Sequence, residues 1–292
     1  MPLQRGQRAG GAMSVTMAGR KTEALRSGLQ ALGSAVVAYS GGVDSAFLAA
    51  VCSEALGDRA LAVTADSPSI PRRELAAARE LAARLGFAHE VIRTDECGVA
   101  AYAANGPDRC FHCKGALFSR LREIADARGF EEVLDGSNTD DAGDYRPGRK
   151  AAARWGVRSP LAEGGWTKAD IREASRRMGL PTADQPASAC LASRIPYGSR
   201  VTPEVLRQVE RAEAALADLG FLQLRVRHHG DVARVELAPA EIGRLLDPAC
   251  RAAVAAAVQG AGFRYAAVDL QGYRTGSLNE TLDAEARAAG EG

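Results

Sequence analysis

Apolar positions along the first two-thirds of the chain follow two alternating rhythms. Short unbroken runs, Ala35-Val36-Val37-Ala38, Ala60-Leu61-Ala62-Val63-Thr64, Ala88 to Arg93 and Glu132-Val133-Leu134-Asp135, have the length and branching of buried strands. Between them apolar residues recur at helical spacing: Val43, Ala46, Phe47, Ala50 and Val51; then Leu75, Ala78, Leu81, Ala82 and Leu85, stopped by Gly86; then Leu117, Leu121, Ile124 and Ala125, with helix signals beginning at Cys113. A short helix, Thr22 to Leu32, leads into the first strand. A strand-like piece from Gly156 to Leu161 precedes a helix from Thr167 to Met178, opened by the capping pattern Thr167-Lys168-Ala169-Asp170. Strands alternating with helices predict an α/β fold, a doubly wound parallel sheet with helices on both faces. Ligands of such sheets sit beyond the carboxyl ends of the strands, where strand order reverses.

The rhythm changes after Gly198. Val205, Val209, Ala212 and Leu216 mark a long helix from Thr202 to Leu219, and two alternating runs about Gly230-Asp231 read as a hairpin. A helix from about Pro239 and a strand from Phe263 to Leu270 complete a smaller C-terminal α+β domain. The expected division is a disordered tail at 1–20, a main domain at 21–199, the second domain at 200–280 and a tail at 281–292.

Composition narrows the function classes. The chain has 292 residues, 46% hydrophobic and 25% charged, as in ordinary soluble globular proteins. Lys plus Arg number 37 against 36 acids, a net charge of +1, which argues against a dedicated nucleic-acid binder. No run approaches the roughly 18 apolar residues of a membrane span, and residues 1–20 lack the apolar core of a secretory signal. Six cysteines in a chain this long are no disulfide scaffold, so a reducing cytoplasm is the expected setting.

The densest chemistry follows the first strand. Tyr39-Ser40-Gly41-Gly42-Val43-Asp44-Ser45 is a strand end, a glycine turn and a helix start. The helix N-terminus offers free N–H groups to an anion, Ser40 and Ser45 add hydroxyls, and Asp44 can hold magnesium or cap the helix. Cys110 and Cys113 form a Cys-x-x-Cys pair able to ligate a metal or cluster, or to cycle as a dithiol; at a helix start their thiols are expected to be acidified. No second such pair exists, so a third ligand must come from elsewhere. After the fourth strand, Asp140, Asp141 and Asp144 could hold magnesium, and Arg146, Arg149 and Lys150 could clamp phosphates. Cys190 lies in a Pro-bounded loop. Arg225 and Arg227 alternate on one strand and so face the same way, as a pair suited to a doubly anionic substrate. His228 and His229 read as surface residues of the hairpin, Cys52 as core packing, and Cys97 and Cys250 have no partner.

Ser40-Gly41-Gly42-Val43-Asp44-Ser45 resembles the PP-loop of ATP pyrophosphatases and lacks the lysine of a Walker A loop. PP-loop enzymes split ATP between the α- and β-phosphates, adenylylate a substrate oxygen and let a nucleophile displace AMP. The resemblance implies that Ser40, Gly41, Gly42, Asp44 and Ser45 hold ATP and Mg2+, and that Thr64, Asp66 and Ser67 hold adenine and ribose. Four further stretches follow in order: Arg109-Cys110-Phe111-His112-Cys113-Lys114, Asp135-Gly136-Ser137-Asn138-Thr139-Asp140-Asp141, Asp144-Tyr145-Arg146-Pro147-Gly148 and Ala189-Cys190-Leu191-Ala192-Ser193-Arg194-Ile195-Pro196-Tyr197-Gly198. With the glycine loop they resemble the LarE family over about Leu25 to Leu278, the ATP-dependent sulfur transferases of nickel-pincer nucleotide biosynthesis. That resemblance implies a pyridinium dicarboxylate mononucleotide substrate and a downstream nickel-insertion enzyme, in a cytoplasmic homo-oligomer without membrane or nucleic-acid partners. It also implies a [4Fe-4S] cluster on Cys110, Cys113 and Cys190, or else sacrifice of the Cys190 sulfur, with Arg225, Arg227 and Glu213 in the substrate site. The rival readings are a tRNA thiolase, an amidating ligase such as NAD synthetase, and a non-catalytic adenine-nucleotide binder.

Overall fold

The computed structural model describes residues 17–143, 148–186, 188–274 and 277–281. In chain order the first body runs α1 (Met17–Gln30), β1 (Ala35–Ala38), α2 (Val43–Leu56), β2 (Ala60–Asp66), α3 (Arg72–Leu85), β3 (His89–Arg93), α4 (Ala100–Ala103), α5 (Arg109–Arg128), β4 (Glu132–Leu134), α6 (Gly148–Arg154), β5 (Val157–Arg158), α7 (Pro160–Glu163) and α8 (Lys168–Arg177). Its five strands pair in parallel in the order β3-β2-β1-β4-β5. The expected α/β doubly wound sheet is therefore present. The central strands are apolar without alternation because helices cover both faces. On one face α1, α2, α3 and α8 bury Leu29, Phe47, Val51, Leu81, Trp166 and Ile171; on the other α5 and α6 bury Phe118, Leu121, Ala151 and Val157. Strand order reverses at β1, so the crevice beyond β1 and β4 is where a ligand belongs.

Several boundaries differ from the sequence reading. The first helix begins at Met17, inside the expected tail, and Ala18 already packs into the body. The piece expected as a strand through Leu161 is one only at Val157–Arg158; Pro160 then starts a helical turn, where its missing N–H costs nothing. The helix expected from Cys113 begins at Arg109, a turn earlier, so both paired cysteines lie on it.

The second body holds α9 (Pro203–Asp218), β6 (Leu224–His229), β7 (Val232–Leu237), α10 (Pro239–Ile242), α11 (Pro248–Gly260) and β8 (Tyr265–Val268). β6 and β7 form the antiparallel hairpin across Gly230-Asp231, and β8 joins β7 in parallel after the crossover through α11. The Thr202 hydroxyl caps α9 at Val205 N–H, 3.3 Å away. A separate apolar core lies here under Leu206, Val209, Leu216, Val226, Val235 and Val258, and it takes in Tyr102, Leu191, Ala192 and Ile195 from ahead of Gly198. The segments around the Cys-x-x-Cys pair and around Cys190 thus pack where the two bodies meet.

A candidate active site between the glycine loop and three cysteines

At the end of β1 the chain turns through Gly41, whose φ of +79° belongs to the left-handed region. A Cβ there would stand 2.8 Å from that of Ala78, so neither backbone nor space admits another residue. Ser45 Oγ donates to Gly42 O at 3.1 Å, accepts from Ser40 N–H at 3.1 Å and lies 3.0 Å from Ser40 Oγ. These bonds shape the loop from within. No side chain caps α2 at Gly42, which leaves its first N–H groups and its dipole to a ligand.

The end of β4 closes the crevice from the other side. A Cβ on Gly136 would come within 3.0 Å of Ser45 N, so this glycine lets β4's loop lie directly on the glycine loop. Buried Asp135 accepts from Ser137 Oγ at 2.8 Å and Ser159 Oγ at 2.6 Å, with Lys114 Nζ 3.5 Å away. Asp44 Oδ2 accepts from Lys168 Nζ, while Asp44 Oδ1 is buried with no hydrogen-bond partner among the described residues. An orphaned carboxylate oxygen beside an open helix N-terminus is the kind of donor that a hard divalent cation can take. Lys168 N–H is held by Asp140 at 2.8 Å. Arg146, with Asp144, Tyr145 and Pro147, falls outside the described residues.

At the end of β2, Thr64 Oγ1 donates to Tyr39 O at 2.7 Å and lies 2.8 Å from His89 Nε2, so this hydroxyl ties strands together. Asp66 pairs with Arg72, and Ser67 Oγ donates to the buried carboxylate of Glu96. The same loop reaches the cysteines. Ser69 Oγ meets Tyr102 Oη, and Ser69 O accepts from Leu191 N–H, next to Cys190, at 2.8 Å.

Cys110 and Cys113 stand one turn apart on α5, and Cys190 opens the short helical turn Leu191–Arg194. Cys113 and Cys190 pack against the same apolar core, and Arg109, next to Cys110, donates to Ala192 O, two residues from Cys190, at 2.9 Å. The expected acidification is reversed. Loss of hydration at the sulfur raises the Cys110 thiol above its ordinary value although the residue as a whole is exposed, and Cys190 adds to this against Arg109; desolvation raises half-buried Cys113 well above it, reinforced by Glu96, Cys190 and Cys110. Desolvation and like charge outweigh the helix N-terminus. Among the described residues no three His, Cys, Asp or Glu side chains close around a single metal ion; thiolates on a cluster sit on different irons and need no such closeness.

The C-terminal body supplies the remaining residues. The Arg194 fork grips Glu213 with Nε–Oε1 of 2.9 Å and Nη2–Oε2 of 3.0 Å, both side chains buried, while Arg194 Nη1 donates to Cys190 O at 2.8 Å. Glu213 also accepts from Val226 N–H at 3.0 Å. Arg225 and Arg227 share a face of β6, but their circumstances differ. Arg227 forks Glu236 at 2.9 and 2.7 Å and donates to Ser193 O at 2.8 Å, so its charge is matched. Arg225 lies over the Tyr273 ring at 5.2 Å, bonded to Leu224 O, with no carboxylate pair among the described residues. Burial and nearby Arg194 lower its pKa, against Glu213.

Comparison with known proteins agrees with this geometry. The NAD synthase family matches residues 19–128, which span the glycine loop and the Cys-x-x-Cys pair. An uncharacterized protein of Synechocystis is 44% identical over 262 residues, covering 90% of this chain and 98% of that one. The pyridinium-3,5-bisthiocarboxylic acid mononucleotide synthase of Lactiplantibacillus plantarum is 38% identical over 263 residues, covering 90% of this chain and 95% of that protein. The chain belongs to the LarE family. An uncharacterized protein of Methanocaldococcus jannaschii is more distant, 29% identical over 202 residues, covering 69% of this chain and 77% of that one. As a LarE-family, PP-loop protein the chain is an enzyme built to use ATP. Among its described residues no helix is long and apolar enough to cross a membrane.

The sequence points to one or more residues on each wall of this LarE site but not to what joins the walls. Glu96, Tyr102, Asn105, Arg109, Lys168 and Arg194 tie these walls together through hydrogen bonds, and the sequence motifs give none of them a role. A signal exists for two of them: Arg109 and Arg194 lie inside the family stretches, beside or near a cysteine.

Proposed function

We propose that this chain is an ATP-dependent sulfur transferase that adenylylates a carboxylate of pyridinium-3,5-dicarboxylate mononucleotide and replaces its oxygen with sulfur, on the way to a nickel-pincer nucleotide. The observation that supports this reading is that Cys113 and Cys190 pack against one core, with Cys110 a turn from Cys113 on the same helix, and that the Cys190 loop is bonded through Leu191 N–H to Ser69 O, beyond the end of β2.

In this reading the turn at Ser40, Gly41, Gly42 and Ser45 and the start of α2 hold the ATP phosphates, helped by Arg146. Thr64, Asp66 and Ser67 stand at the adenine and ribose side. Asp44 would hold a magnesium ion, which when bound neutralises phosphate charge. Arg225 binds an anionic group of the substrate; Arg227 and Glu213 hold the surrounding strand and loop. A substrate carboxylate oxygen attacks the α-phosphorus, the α–β phosphoanhydride bond breaks, and pyrophosphate leaves. The acyl adenylate carries a good leaving group where the carboxylate had none. A sulfur nucleophile then attacks the acyl carbon, and AMP departs with the carboxylate oxygen.

Cys110, Cys113 and Cys190 would hold a four-iron cluster, which when bound supplies sulfur without consuming a cysteine. The alternative donor is Cys190 itself: its thiolate displaces AMP, the Cα proton is lost and the Cβ–S bond breaks, leaving thiocarboxylate and dehydroalanine. The same reading has the enzyme cytoplasmic, homo-oligomeric and upstream of a nickel-inserting enzyme.

The test is iron and acid-labile sulfide per chain after anaerobic purification, followed by incubation with ATP and the pyridinium dicarboxylate mononucleotide. About four irons per chain, lost on replacing any of the three cysteines, together with pyrophosphate, AMP and thiocarboxylate, supports the cluster form. An iron-free chain whose Cys190 becomes dehydroalanine as product forms supports the sacrificial form. Pyrophosphate release without any sulfur in the product overturns both.

A further inference from the structure

Asn105 has a φ of +57°, the one positive value for a non-glycine among the described residues, and it is 0% exposed. Asparagine is among the side chains that best tolerate this region, and a buried one must be satisfied by hydrogen bonds. Its amide donates to Pro196 O at 2.8 Å, Ser199 O at 2.9 Å and Ile195 O at 3.3 Å, and its backbone carbonyl accepts from Gly198 N–H at 3.0 Å. All four bonds land on the loop that continues from Cys190. One turn further, Arg109 Nη1 donates to Asn105 Oδ1 and to Ala192 O at 2.9 Å, and the guanidinium lies 5.6 Å from the centre of the Tyr197 ring.

Arg109 is 3% exposed and pairs with no carboxylate among the described residues. Its ionisable neighbours are the thiols of Cys190 and Cys110 and the hydroxyls of Tyr197 and Tyr102. A buried cation without an acid partner is costly, so its position answers a local need. Arg109 precedes Cys110 on α5, and its bonds and those of Asn105 run to the backbone of residues 192–199. Sliding the Cys190 loop along α5 must break them.

We propose that Asn105 and Arg109 are a positioning pair that holds Cys190 against Cys110 and Cys113. The proposal deepens the sulfur-transfer reading and rests on the three thiols acting together. Their separation is set by side-chain-to-backbone bonds across the seam between the bodies, so loss of either residue lets one thiol drift from the other two.

The test uses the metal-free full-length chain and the bifunctional thiol reagent dibromobimane, with bridged pairs identified by peptide mass spectrometry. Cys110 and Cys113 share one helix turn and provide an internal control. Arg109→Lys keeps the charge and loses the fork; Asn105→Gly keeps the left-handed backbone and loses the amide. Each is expected to slow bridging of Cys190 to the helix thiols by about tenfold or more, with Cys110–Cys113 bridging and ATP binding at wild-type levels. Wild-type bridging of Cys190 in both variants overturns the proposal. So does an equal fall in Cys110–Cys113 bridging, which would mean general loosening. A wild-type chain that takes up no iron removes the cluster reading yet leaves this bridging difference intact, so the two failures are distinguishable.

Discussion

Removing the charge of Glu213 while keeping its shape tests the buried pair that anchors the Cys190 loop. Arg194 and Glu213 are 1% and 3% exposed, and the carboxylate takes two bonds from the fork and one from Val226 N–H. In Glu213→Gln the amide oxygen can serve only part of this set, and charge-assisted bonds worth about 1.5–3 kcal/mol each fall to about 0.5–1.5. The expected loss is about 2–3 kcal/mol. Glu213→Ala is harsher: both variants take the counter-charge from Arg194, but alanine also strips the guanidinium of every hydrogen bond from residue 213, for about 3–5 kcal/mol, and the orphaned Val226 N–H adds about 1–3. That total approaches a domain's whole stability of about 5–15 kcal/mol, so the glutamine variant is the one to measure. Replacing the pair by Arg194→Met with Glu213→Leu removes both charges and should recover most of the stability. It cannot recover the bonds from Arg194 to Cys190 O and Ala189 O. The double variant should therefore unfold above the Glu213→Ala midpoint but short of wild type, by about the 1–3 kcal/mol of the orphaned Val226 N–H, while making little thiocarboxylate. Urea unfolding followed by circular dichroism gives the first quantity and mass spectrometry of the product the second. A Glu213→Gln midpoint equal to wild type refutes the reasoning, because the pair would then carry no net stability.

Gly41→Ala forces a side chain into positive φ and against Ala78, so it should cost more than about 1 kcal/mol and abolish ATP binding measured by calorimetry; retention of both contradicts the geometry. Asp44→Asn should leave a folded chain, since its partner Lys168 is partly exposed, but cut pyrophosphate release by about a hundredfold or more; unchanged release would remove Asp44 from the phosphate site. Burial pushes the Cys52 thiol up to about 12 from an ordinary 9.0, so the native state keeps a proton that the unfolded state releases. Its contribution is whole below 9.0 and is lost as pH rises toward about 12, at up to about 1.4 kcal/mol per unit. Cys52→Ala should flatten the alkaline fall in urea midpoint; an unaltered slope assigns that fall elsewhere.

The parts of this molecule legible in the sequence are those whose cause is local or periodic. The glycine loop is legible because Gly41 must turn left-handed where a strand meets a helix, and the parallel sheet is legible because its apolar runs are too continuous for a one-sided one. The C-terminal hairpin is legible by alternation, which correctly gives Arg225 and Arg227 a common face. It does not give their state. Glu236 stands opposite Arg225 in the ladder, yet its carboxylate crosses to Arg227, a choice made by side-chain reach rather than by register. The thiols make the same point about environment. A helix start by itself favours a thiolate, but desolvation of half-buried Cys113, with Glu96 and two other thiols nearby, outweighs it.

Glu213 carries a signal, since it stands beside the stripe of α9 formed by Val209, Ala212 and Leu216, where a buried acid must have a partner. Asn105 carries only Asn-Gly, an ordinary turn signal, and its partners lie about ninety residues away with no repeat to reveal them. What eludes sequence reading here is the fastening of one body to the other by buried polar side chains on backbone carbonyls. Apolar packing between the bodies would tolerate a slide of the Cys190 loop along α5. Hydrogen bonds of fixed direction from Asn105, Arg109 and Arg194 do not, and three thiols drawn from two segments need that constraint more than they need additional stability.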